Sequence, residues 1–333
     1  MTATTGRAPV TIGRPPEVAG TKIAGMGYYR PSRVVTNDEL SETMDTNDEW
    51  IRARVGIQER RWAAPEETAV LMGTAAAAAA IKDAGLTASD IDTVIVATCT
   101  LPSQVPHAAT QIAAELGIHA PGSFDVNAAC AGFCYGLGVA SQTVRVGAGK
   151  NVLLVGVDKL TDWTDLTDRS TAIIFADAAG AVVVSPAAEE QIGPVAWGSD
   201  ETQTQAIHVK DRNSSFFQDG QAVFRWATTK IAPVGIRAVE AAGLQLSDID
   251  ALVTHQANLR IIDAIAKKLI SSGARPDLVV ARDIITTGNT SSASVPVALC
   301  RAREEGTISS GDLVLSIAFG AGLTFAGQVY RVP

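Results

Sequence analysis

A chain of 333 residues that is 47% hydrophobic can bury a large core, as one big unit or as two fused units of ordinary size. Its 27 Lys and Arg against 35 Asp and Glu give a formal net charge of -8, which argues against nonspecific attraction to nucleic acid or an anionic membrane surface and leaves an acidic partner only a local basic patch to dock on. The four cysteines (Cys99, Cys130, Cys134 and Cys300) show no paired zinc-knuckle spacing and are too few for a disulfide framework, so the expected setting is reducing and cytoplasmic, with no metal.

In chain order, residues 1–20 are rich in Thr, Gly and Pro and lack the apolar run of a signal peptide, which predicts a loosely ordered tail. No segment reads as a membrane span. The stretch "ETAVLMGTAAAAAAIKDAG" holds six consecutive alanines among strong helix formers and stops at Gly85, so it predicts a tightly packed helix. Next comes "AGLTASDIDTVIVATCT" at 84–100, which recurs as "AGLQLSDIDALVTHQAN" at 242–258, an offset of 158 residues. Each copy reads as a helix end, a loop with Ser/Asp capping chemistry and a buried β-branched strand. "GKNVLLVGVD" at 149–158 is likewise echoed by "SGDLVLSIAFG" at 310–320, about 161 residues on. The same order of elements in both places predicts two homologous α/β halves, 21–186 and 187–333, whose strand and helix ends meet at a pseudo-twofold seam.

Between the first pair of strands lies "GSFDVNAACAGFCYGLGVA". A strand turns through small residues into a helical pattern of Phe133, Leu137 and Ala140, with Cys130 at the helix start. Backbone N–H groups and the positive end of the helix dipole favour a thiolate there, and the small neighbours would let a thioester approach. A buried structural cysteine is the competing reading, and it is the better one for Cys99, Cys134 and Cys300. In the second half His255 follows the apolar run "DALVT", so its imidazole emerges at a sheet edge, where catalytic groups sit in open α/β sheets. His107, His119 and His208 lie in loop-like or polar stretches and read as surface residues. Asn289, in "TTGNTSSASVPVAL", would by itself be a turn or cap residue. The 158-residue offset sets it opposite residue 131, so Cys130 and Asn289 are expected at equivalent spots across the seam. Finally "AFGAGLTFAG" supplies Gly320 and Gly322, where the backbone can bend and present a free N–H.

With these motifs in view, the chain resembles the β-ketoacyl-acyl-carrier-protein synthase III family, of the thiolase fold, over essentially everything after Gly20. The resemblance rests on "DTNDEWIRARVGIQERR", "AACAGF", "DRSTAIIFADAAGA", "THQANLRII", "GNTSSASVP" and "FGAGLTFAG", in the family's order. It implies a layered αβαβα fold with a seam between duplicated halves, no cofactor beyond a coenzyme A thioester as substrate, and a homodimer. It implies that Cys130 takes an acyl group from acyl-CoA, while His255 and Asn289 hydrogen-bond the thioester oxygen of a malonyl group on acyl carrier protein as carbon dioxide departs. The backbone N–H groups of Cys130 and Ala321 would form a second oxyanion hole. Trp50, Arg54, Arg169, Gly220 and Asn258 would bind coenzyme A, and Arg260, Lys267 and Lys268 would form the carrier-protein patch, whose bland alternative is a solvated helix face. Val105 and Leu160 would border the acyl pocket, Val105 by reaching into the partner subunit. Gln221 departs from the asparagine common in the family, and the polar segment 199–219 matches none of its motifs. Two rivals are a non-condensing acyltransferase on this fold and a non-catalytic synthase subunit; Asn289 disfavours the first and a reactive Cys130 the second.

Overall fold

Ten strands and six helices carry the architecture of the computed structural model, which describes residue 13 and residues 18–333; nearly all of the expected tail, 1–20, lies outside them. The last tail residue, Gly20, instead opens a strand. The first half contributes β1 (Gly20–Tyr29), β2 (Thr93–Ala97), β3 (Gly122–Val126), β4 (Val152–Lys159) and β5 (Asp177–Ala187). The second contributes β6 (Ala196–Ser199), β7 (Ala251–Thr254), β8 (Val279–Val280), β9 (Leu313–Phe319) and β10 (Thr324–Arg331).

The sheet orders are β3-β2-β4-β5-β1 and β8-β7-β9-β10-β6, one order written twice. In each sheet the first two pairings are parallel and the last two antiparallel. The helices follow the same rule. α1 (Ala69–Asp83), α2 (Ala108–Leu116) and α3 (Gly132–Arg145) connect the strands as α4 (Gly220–Ala241), α5 (Leu259–Ser271) and α6 (Ser294–Glu304) do in the second half. The duplication read in the sequence is therefore a duplication of topology.

The helices sort into layers by what they bury. α3 and α6 are sandwiched between the two sheets, with Phe133, Leu137, Val295 and Leu299 packed among residues of both. α1 and α2 cover the outer face of the first sheet, and α4 and α5 that of the second. This is the αβαβα layering that the resemblance implies. The alanine run of α1 has a geometric reason. A Cβ added at Gly27 would lie 2.5 Å from the Ala79 Cβ, and one at Gly25 2.2 Å from the Ala84 nitrogen, so helix and strand pack backbone to backbone. Only side chains as small as Ala and Gly permit that approach. Among the described residues no helix is long and apolar enough to cross a membrane.

Two buried carboxylates brace the first half, and the first of them also crosses the seam. Asp158, at the end of β4, accepts from Cys99 N (2.8 Å), Thr98 Oγ1 (3.2 Å), Thr100 Oγ1 (3.1 Å), Ser292 N (3.0 Å) and Ser292 Oγ (2.7 Å). It thereby ties the end of β2 to the turn before α6. Asp177 accepts from Ala63 N (2.7 Å), Thr161 N (3.0 Å) and Thr161 Oγ1 (2.7 Å), and burial raises its carboxyl to about 6.

Candidate active site

The strands β2, β7 and β9 end toward the seam, and the short turns leading into α3 and α6 meet there. Cys130 lies in the 3-10 turn Ala129–Ala131 just before α3, and Ser291–Ala293 is the matching turn before α6. The residue opening each turn has positive φ, +46° at Ala129 and +52° at Ser291, a strained conformation for a residue with a side chain. These two are the equivalent positions, separated by 162 residues, so the turn equivalent to Cys130 carries Ser292. Asn289 corresponds to Asn127, and the expected equivalence of Cys130 with Asn289 is corrected. The offset grows from 158 at the strands to 162 at the turns because the connecting loops differ in length.

Cys130, His255 and Asn289 nevertheless line one cavity of about 670 Å³, together with Cys99, Leu160, Gly320 and Ala321. His255 and Asn289 are almost fully buried, at 2% and 4% exposure. The Asn289 carboxamide is oriented by its Oδ1, which accepts from Ser291 N (2.9 Å), so its NH₂ group is the end left for the cavity. The backbone around it is pinned by Asn289 N donating to Ile174 O and Ala176 N to Asn289 O, each 2.9 Å. Gly288 precedes it with φ +80°, where a Cβ would lie 2.8 Å from that of Arg60 and 2.9 Å from that of Ala176. His255 Nδ1 is 2.7 Å from Ser294 Oγ, and its ring packs edge-on against Phe319. Burial pushes the imidazole down to about 3, so it is neutral at physiological pH.

Burial also pushes the Cys130 thiol up to about 12, opposed by a hydrogen bond with Ser291. This corrects the expected resting thiolate: a thiol in an apolar wall loses more from desolvation of the anion than the helix start returns. Cys134 and Cys300 are buried core residues, as their patterns suggest. Cys99 is not; it lines the cavity, 3.8 Å from Ser291 Oγ.

Gly320 fits its place because a Cβ there would sit 2.7 Å from Cys130 N. Its own N–H is not free, since it donates to Thr324 O (3.0 Å). Among the described residues no other residue accepts from the N–H of Cys130 or from that of Ala321, and both residues line the same cavity.

At the mouth, two guanidinium groups approach the Trp50 ring, that of Arg54 at 5.3 Å and that of Arg169 at 4.9 Å from the ring centre. Asn258 caps α5 by accepting from Arg260 N (2.9 Å) and donates to Arg54 O (3.2 Å). Gly220 and Arg260 line the same mouth. Lys267 and Lys268 lie further along α5, exposed and away from the cavity. Val105 is 79% exposed on a loop and does not line the cavity within one chain. The segment 199–219, opaque in the sequence, supplies a wall: Ile207, Phe216 and Phe217 line the cavity, and Phe216 packs on Phe175 at 5.5 Å. Arg225 at the mouth also went unread, for lack of any motif around it.

The sequence model described as 3-oxoacyl-[acyl-carrier-protein (ACP)] synthase III matches residues 124–201, and that of the C-terminal part of the same family matches 239–332. β-Ketoacyl-[acyl-carrier-protein] synthase III 4 of Streptomyces coelicolor is 44% identical to the chain, covering 94% of it and 99% of the relative. β-Ketoacyl-[acyl-carrier-protein] synthase III of Streptomyces glaucescens is 48% identical, covering 94% and 96%. Among solved structures, the priming β-ketosynthase from the R1128 polyketide biosynthetic pathway superposes with a TM-score of 0.92 at 42% identity, covering 96% of this chain and 98% of that one.

Proposed function

The chain belongs to the β-ketoacyl-acyl-carrier-protein synthase III family, a family of condensing enzymes, and we propose that it starts chains for fatty-acid or polyketide synthesis with Cys130 as nucleophile. The observation that carries this reading is one cavity holding a cysteine at a strained helix start, a neutral buried imidazole and an oriented carboxamide, with a Trp beside two Arg at its mouth.

In the first half-reaction the Cys130 sulfur attacks the carbonyl of acyl-CoA, the bond to coenzyme A breaks, and the thiol proton leaves with the coenzyme A sulfur. The N–H groups of Cys130 and Ala321 stabilise the oxyanion of the tetrahedral adduct. The dipole of α3 supports sulfur anion in the transition state, where it is needed, although burial keeps the resting thiol protonated. In the second half-reaction malonyl-acyl carrier protein loses carbon dioxide, and the electron pair of the broken C–C bond becomes an enolate. Its oxygen receives hydrogen bonds from His255 and the Asn289 NH₂ group, so no base is required. The enolate carbon attacks the acyl carbonyl and the Cys130 sulfur leaves.

Adenine stacking on Trp50, phosphate pairing with Arg54 and Arg169, and a pantetheine arm running past Asn258 and the Gly220 backbone fit the chemistry of the mouth. Arg260, Lys267 and Lys268, joined by Arg225, form the basic face for an acidic carrier protein. We take 21–186 and 187–333 as the two halves. A homodimer has an available surface in edge strand β3, where Phe124 is 40% exposed, and in the neighbouring Val105 loop.

Intact-protein mass spectrometry after incubation with a panel of acyl-CoAs tests the reading. One acyl group should appear on the wild type and on Cys134→Ala, and none on Cys130→Ala. Acylation that survives in Cys130→Ala contradicts the assignment.

A further inference from the structure

The reaction proposed above needs His255 to present an N–H to the enolate oxygen, yet a neutral imidazole has one proton and two nitrogens that could hold it. The choice is made by whatever faces the other nitrogen. Here that is Ser294, the first residue of α6, 1% exposed, with its Oγ 2.7 Å from His255 Nδ1. The same Oγ accepts the N–H of Gln256 (3.3 Å), and no other hydrogen-bond partner of it exists among the described residues.

We propose that the Ser294 hydroxyl is a positioning residue that donates to His255 Nδ1 and so fixes the tautomer with its proton on Nε2, facing the cavity. The three groups can be satisfied together in one way. If Nδ1–H donated to Ser294 Oγ, the hydroxyl proton of Ser294 would be buried with no acceptor, at the cost of an unmade hydrogen bond. If Ser294 donates, the Gln256 N–H, the Ser294 O–H and the Nδ1 lone pair are all used. Nε2, which has no partner among the described residues, is then a donor by construction. Burial keeps His255 neutral, so the proton count is not in question. The arrangement also couples the halves of the site: α6 begins just after the turn that orients Asn289, so one helix start sets both enolate donors.

The inference rests on the decarboxylating reading, but its first test does not. The chain has four histidines, so ¹⁵N-histidine labelling gives a tractable spectrum, with the His255 signals identified by their loss in His255→Ala. The wild type should show a protonated Nε2 and an unprotonated, hydrogen-bonded Nδ1. In Ser294→Ala this pattern should shift toward the other tautomer, and decarboxylation of malonyl-acyl carrier protein should fall about tenfold or more, as when the group orienting a functional imidazole is removed. Loading of Cys130 by acyl-CoA should be retained, and Ser294→Thr, which keeps the hydroxyl, should hold the wild-type tautomer. A wild type protonated at Nδ1 overturns the inference even if Ser294→Ala does not fold. So does a Ser294→Ala enzyme with unchanged spectrum and decarboxylation. A wild type with the Nε2–H tautomer but no decarboxylation would refute the proposed reaction and leave the tautomer assignment standing.

Discussion

Cys130 is subject to two opposed effects, a helix start that favours the thiolate and an apolar wall that disfavours it. Burial wins, and the thiol is pushed up to about 12. The sign of the consequence follows. Below that value the thiolate fraction rises about tenfold per pH unit, so alkylation of Cys130 by iodoacetamide should climb through pH 7 to 9 without a plateau. A plateau near pH 7 would mean a resting thiolate. The partners should separate from the nucleophile by step. Asn289→Ala or His255→Ala is expected to lower decarboxylation of malonyl-acyl carrier protein about 10²-fold or more while sparing acyl loading, because the donors act on charge that develops only in the second half-reaction. Equal loss of both steps, measured by single-turnover kinetics, would count against these roles.

At the scale of elements, the turn before α3 and the loop after β9 touch through glycine. Gly320→Ala would force a Cβ to within 2.7 Å of Cys130 N, and the shift that relieves this contact at the nucleophile should slow acyl loading about 10²-fold with little change in coenzyme A affinity. Wild-type loading rates in this variant would show that the contact yields. The sequence made these elements legible to different degrees. The repeat at 84–100 and 242–258 and the Phe133, Leu137 and Ala140 periodicity located β2, β7 and α3, because a buried strand and an amphipathic helix write their environment into residue spacing. The 199–219 wall was not legible, since its two-residue strands and Asx-type turns carry no periodicity and Phe216 acquires meaning only by packing on Phe175. Cys99 misled for a related reason: a strand's apolar run does not reveal that a residue two places beyond its end emerges beside a cavity. The equivalence of Asn289 with Asn127 was hidden by unequal loops. On α5 the cationic face makes its own prediction. Reversing Lys267 and Lys268 to Glu should raise the KM for malonyl-acyl carrier protein severalfold and weaken its salt dependence, with acyl-CoA loading unaffected. Kinetics insensitive to the change would return these lysines to an ordinary solvated face.

For the whole molecule, two copies of one topology bring a nucleophile from the first half to two donors from the second, and Asp158 fastens the join. Asp158→Ala would leave the N–H groups of Ser292 and Cys99 without their acceptor, at a cost of about 3 kcal/mol or more, and should lower the thermal midpoint by several degrees together with decarboxylation. A variant as stable as the wild type would show that water or a shift of the Ser292 turn replaces the carboxylate. If a partner subunit completes the acyl pocket, Val105 is the residue that reaches it. Its modest size should admit acyl groups of four or more carbons, with each buried methylene adding about 1 kcal/mol, and Val105→Phe should bias loading toward acetyl.

The central claim is a decarboxylating condensation on Cys130, and product analysis with the wild-type enzyme tests it most directly. The acyl-enzyme, formed with butyryl-CoA and freed of excess donor, is mixed with malonyl-acyl carrier protein, and the masses of both proteins are followed. The account predicts that the acyl mass leaves Cys130 as the carrier protein gains it and loses one carbon dioxide, yielding a β-ketoacyl-carrier protein. An acyl group that stays on Cys130, or that leaves without carbon dioxide loss from the malonyl group, would contradict it.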